Sequence, residues 1–73
     1  MTRERPTQKA FIEGDVYIDY PYEDVKFRFE KETGKVYKRR YGGVEMEIPG
    51  NSKLYYEARR GGCAITREEY FRD

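Results

Sequence analysis

The sequence predicts an α+β fold: a four-stranded antiparallel meander covered on one face by a C-terminal helix, with a short terminal helix after it (ββββαα). Three observations predict it. Apolar and polar residues alternate in consecutive stretches of the first two-thirds of the chain, which is the pattern of half-buried strands. Short turns rich in Gly, Pro and Asp separate these stretches, so neighbouring strands run antiparallel. The alternation then gives way to segments bounded by helix-capping residues, and strands followed by helices read as α+β.

Each element has its own justification. Residues 1–10 begin with the polar, aperiodic MTRERPTQK and read as a flexible basic arm, ahead of a single domain over 11–73. DVYIDY (15–20) places Val16, Ile18 and Tyr20 on one face, and Pro21 ends the ladder. DVKFRFE (24–30) turns Val25, Phe27 and Phe29 inward and Lys26, Arg28 and Glu30 outward. KETG (31–34) is a turn in which Gly34 supplies a positive φ. KVYKRRY (35–41) is the third strand, Gly42-Gly43 the next turn, and VEMEI (44–48) the fourth strand, with Val44, Met46 and Ile48 inward. Asn51 or Ser52 caps a helix over 53–60. Its inner stripe is Leu54, Tyr55 and Ala58, and Gly61-Gly62 provides a left-handed stop. Ile65 anchors the next segment, and Thr66-Arg67-Glu68-Glu69 is a capping box opening a terminal helix docked by Tyr70 or Phe71.

Composition restricts function. At 73 residues the chain is one domain with a small core. Charged residues reach 40% and mean hydropathy is −1.10, yet eight Tyr and four Phe supply the large rings that a folded core needs. Fifteen Lys and Arg against fourteen Asp and Glu leave a net charge of +1, so no global field draws the chain to duplex nucleic acid or an anionic membrane. A lone cysteine, Cys63, permits no internal disulfide and suits a reducing, cytoplasmic setting; beside Ala64 it reads as a small buried filler. No apolar run approaches a membrane span.

Catalytic and metal-binding constellations are missing. The chain has no His, no paired Cys, no phosphate loop and no calcium-loop spacing of acids. No enzyme activity, cofactor or metal is therefore expected, and Glu68-Glu69 is better explained as helix capping and dipole compensation.

The remaining signal is KVYKRRYGG (35–43), the densest basic stretch, with tyrosines inside it. Either register of this strand puts a cation on the side of the core or its rim, and an unpaired buried charge is too costly. The strand is therefore expected at an edge, bulged near Arg39, or extending past the helix cover. The favoured register turns Tyr37 and Tyr41 toward the helix with Arg39 between them, and Val36, Lys38 and Arg40 toward water beside Lys26 and Arg28. Two readings compete. In one, the cations only pair across strands with Glu45, Glu47 and the acids of residues 11–25. In the other, Tyr17, Tyr37, Lys38, Arg39, Arg40 and Tyr41 form a binding surface for another protein or a second copy, because Tyr and Arg dominate interface hot spots. The alternative ligand for the same patch, joined by Arg3, Arg5 and Lys9, is single-stranded nucleic acid held weakly by ring stacking and phosphate contacts.

Overall fold

The computed structural model describes residues 5–72. The α+β architecture is as expected, and its central meander is β1 (Val16–Tyr20), β2 (Val25–Glu30), β3 (Lys35–Arg40) and β4 (Glu45–Ile48). A preceding helix, α1 (Gln8–Glu13), was not anticipated, nor was a two-residue strand, β5 (Cys63–Ala64), between α2 (Lys53–Gly61) and α3 (Arg67–Phe71). The sheet order is β4-β3-β2-β1-β5. Residues 8–10, assigned by the sequence to the arm, are the first turn of α1, and Pro6 just before it is buried. Thr7 caps this turn by accepting from the Ala10 amide at 3.2 Å, and Phe11 packs edge-on to Phe29 with ring centroids 5.3 Å apart.

The pairing register assigns the side chains to two faces. Val16, Ile18, Val25, Phe27 and Val36 form the core with Tyr55 and Ala58 of α2. Leu54, Ile48, Phe29, Tyr20 and the Ala10–Phe11 edge of α1 close its rim. A helix of nine residues is about 13 Å long and 10 Å wide, whereas five strands span about 19 Å. One helix therefore cannot cover the sheet. Val44 (84% exposed) and Met46 (54%), both expected inside, lie in the open at the β3–β4 hairpin, and only Ile48 of that strand reaches the core.

The turns follow local chemistry. Gly34 and Gly42 have φ of 75° and 71°, which only glycine adopts without strain. Asp24, after the single 3₁₀ turn Pro21–Glu23, takes φ 52°, which a short polar side chain tolerates. The stop after α2 is not left-handed: Gly62 has φ −87°. It is glycine for lack of room, because a Cβ there would meet the Ala58 carbonyl at 2.6 Å and the Asp19 carbonyl at 2.9 Å. Ser52 caps α2. The capping box of α3 is complete, with Glu69 N–H donating to Thr66 Oγ1 at 3.1 Å and Thr66 N–H to Glu69 Oε1 at 3.0 Å. Cys63, expected as a buried filler, is only half-buried, in the edge strand opposite Asp19.

Candidate protein-interaction surface

The face of the sheet away from α2 is polar. Register aligns two rows across the strands: Tyr17–Arg28–Tyr37–Glu47, and Asp19–Lys26–Arg39–Glu45. The short helix α3 lies over them. Tyr70 is fully buried against Tyr17, with ring centroids 5.5 Å apart, and its hydroxyl donates to Glu45 Oε1 at 2.7 Å. The Arg28 guanidinium grips Glu45 with two donors, Nε at 2.8 Å and Nη2 at 3.0 Å, reaches Glu30 at 3.2 Å, and stacks 4.1 Å from the Tyr37 ring. This fork geometry is among the stronger hydrogen-bonded ion pairs.

The electrostatic consequences follow. The Arg28 hydrogen bond holds the Glu45 carboxyl below its ordinary range, against partial desolvation. Glu45 in turn raises the Arg28 guanidinium further. Burial, then the Glu45 contact, pushes the Tyr70 phenol up. The carbonyls at the C-terminal end of α3 are satisfied by sheet cations: Lys26 Nζ donates to Glu69 O and Arg72 O, both at 2.7 Å, and Arg39 Nη1 to Tyr70 O at 3.2 Å. A five-residue helix is unstable alone, and these cations at its negative end help to hold it.

The structure separates the six residues nominated from sequence. Tyr17, Tyr37 and Arg39 share the α3 face with Lys26 and Arg28, which corrects the expected register. Lys38 and Arg40 follow buried Val36 onto the α2 face. Val36 decides the matter, because as the one aliphatic side chain of β3 it goes to the core and fixes the alternation. Tyr17 accepts from Arg67 at 3.2 Å, and one face of Tyr37 is occupied by Arg28. Tyr41, 41% exposed beyond the strand end, donates to Asp19 at 2.5 Å. Cross-strand charge pairing thus accounts for much of the basic stretch, including Lys35 with Glu47 at 3.8 Å.

Lys38 and Arg40 instead meet Val44, Met46 and Gly43 around a shallow cleft of about 270 Å³ at the uncovered end of the hairpin. Lys38 stands directly opposite Met46. Val44 and Met46 had no sequence signal as surface residues, since their alternation is that of a core strand; only the shortness of the covering helix could have exposed them. Among the described residues no group of His, Cys, Asp and Glu could hold a metal ion, and no helix is long and apolar enough to cross a membrane.

The protein is thus a small α+β domain with no buried charge among the described residues and with an exposed aliphatic pair beside two cations at one end of its sheet, a class of fold suited to binding another protein. The chain belongs to the Tis1 immunity protein family, whose sequence profile it matches over residues 4–73. It is 42% identical over 64 residues to the Immune protein Tis1 of Pseudomonas aeruginosa (strain UCBPP-PA14), a match covering 85% of this chain and 83% of that protein. It is also similar to a chain in the crystal structure of the complex between the Type VI effector Tas1 and its immunity protein. That likeness has a TM-score of 0.83 and 38% identity over 92% of this chain and 91% of the other.

Proposed function

We propose that this protein is the antidote to a type VI effector: a non-enzymatic binder that seizes a toxic partner and holds it inactive in the cytoplasm. The observation that carries this reading is the likeness, along nearly the whole chain, to a chain of the effector–immunity complex. That chain is as short as this one, which suits the immunity partner. The docking surface we assign is the end of the β3–β4 hairpin, where Lys38 and Arg40 from the nominated set join Val44 and Met46, while Tyr41 stays on the α3 side with Asp19 and Lys26. Methionine and arginine are enriched at protein interfaces, and arginine among their hot spots; Val44 adds exposed apolar area beside them. A single half-buried thiol, unpaired at Cys63, is compatible with a reducing compartment.

The test is co-expression with an effector of the kind seen in the related complex. The wild-type chain should restore growth and co-elute with the effector, and the double variant Arg40→Glu/Met46→Asp should lose most of the co-elution while keeping its melting curve. Failure of the wild type to protect or co-elute would overturn the reading. An unaffected double variant would remove the hairpin from it.

A further inference from the structure

We propose that the cleft between the start of α1 and the end of α2 is a second contact site, which takes an acidic segment of the bound effector. The proposal rests on the effector-binding reading above but uses a different surface. The cleft encloses about 440 Å³ and is lined by Arg5, Pro6, Phe11, Tyr56, Arg59 and Arg60, together with Thr7 and Gln8. It is roomier than the hairpin cleft of about 270 Å³, and its ionisable lining is wholly basic apart from the Tyr56 phenol.

What singles it out is how its cations are held. Much of the sheet's positive charge is consumed: Arg28 by Glu45 and Glu30, Lys35 by Glu47, Lys26 and Arg39 by the carbonyls of α3; Lys38 and Arg40 stand apart at the hairpin cleft. Among the described residues, Arg5, Arg59 and Arg60 pair with no carboxylate. Rings hold two of them instead. The Arg59 guanidinium sits 4.3 Å from the Phe11 ring centroid and 5.7 Å from Tyr55, and Arg60 sits 5.9 Å from Tyr56. A guanidinium stacked on a ring is oriented without its hydrogen-bonding edge being spent. The position of Arg59 and Arg60 in the last turn of α2 suits the helix dipole. The dipole does not explain why Arg5, about fifty residues away in sequence, is brought to the same hollow.

Planar forks presented beside apolar ring surface match carboxylates carried on a peptide, which satisfy the forks in bidentate fashion while flanking carbons lie on Phe11 and Tyr56. The partner chemistry is therefore an Asp- or Glu-rich segment. In a chain of net charge +1, a local excess of this kind also steers encounter with an acidic patch.

Two experiments separate the possibilities. First, the isotopically labelled chain is titrated by NMR with a synthetic Glu/Asp decapeptide at about 50 mM salt, and again at about 300 mM, where screening is stronger. Saturable shifts are expected at Phe11, Tyr56, Arg59 and Arg60. They should weaken several-fold at the higher salt, be lost in Arg59→Gln/Arg60→Glu, and persist in Arg40→Glu. Because Arg59 packs on two rings, the single exposed change Arg60→Glu is measured alongside and should halve the response or more without altering the fold. Shifts elsewhere, no saturable shifts, or saturation by oligothymidylate in place of the peptide would overturn the assignment.

Second, effector affinity is compared between wild type and the cleft variants, with a drop of about tenfold expected from reversing charge at a complementary contact. An effector that binds wild type and variants equally removes the cleft and leaves the antidote reading intact. An effector that binds neither, with the peptide still seated in the cleft, removes the antidote reading and with it this partner assignment.

Discussion

The two faces of the sheet are held by different physics. Under α2, the side chains are apolar and interlocked: Ile18, Val25 and Phe27 are fully buried, and Phe27 packs on Tyr55 with centroids 5.6 Å apart. Over on the α3 side, rings and charges share the contacts: Tyr70, fully buried, packs on Tyr17 and Phe71 and is tied to the Glu45 carboxylate. The first face stabilises by removing area from water, and its one titratable core group, the Tyr55 phenol, is pushed further up by burial. The second depends on ionisation, because Glu45 must stay charged to accept from Arg28 and Tyr70 together. A 73-residue chain with so few aliphatics cannot build two apolar layers, and it closes its second face with a charge lattice.

The comparison breaks most visibly at Phe27. Phe27→Ala removes a ring with no exposed surface and is expected to cost about 3–5 kcal/mol. That is comparable to the whole stability of a domain this size, about 4–11 kcal/mol at typical per-residue values. Urea titration should show the cooperative transition lost or moved to very low denaturant, equally at pH 7 and pH 4.

A smaller effect, with the opposite pH signature, is expected at Glu45. Glu45→Gln weakens hydrogen bonds to a charged partner and should cost about 1.5–3 kcal/mol at pH 7. The folded carboxyl titrates below its unfolded value of about 4.3. Its contribution is therefore fully present above that value and is lost as pH falls through the depressed folded one. The gap between wild type and Glu45→Gln should accordingly close in thermal melts below about pH 4. A gap that is constant with pH would show that the second face does not rest on this charge.

Much of the fold was legible because it is periodic. Four strands, the caps at Ser52 and Thr66, and the Tyr55/Ala58 stripe each follow from spacing or a short capping code. What escaped was either too short to show a period or settled by tertiary competition. The helix α1 has six residues, of which only Ala10 and Phe11 pack inward. The strand β5 has two, paired antiparallel to β1. The register of β3 depended on whether Val36 or Tyr37 would win the core, and a one-residue slip moves every side chain to the other face. The same slip separated the nominated residues, sending Tyr17, Tyr37 and Arg39 under α3 and leaving Lys38 and Arg40 at the open hairpin. Exposure of Val44 and Met46 was invisible because their alternation encodes which face they occupy, and not whether anything covers it.

On the proposed reading, the open hairpin and not the closed α3 face meets the effector. Amide hydrogen exchange of the chain, free and in complex, tests this most directly. New protection is expected across residues 38–47, with exchange through α3 and at Tyr17 unchanged. Protection appearing at α3 while the hairpin exchanges as before would contradict it.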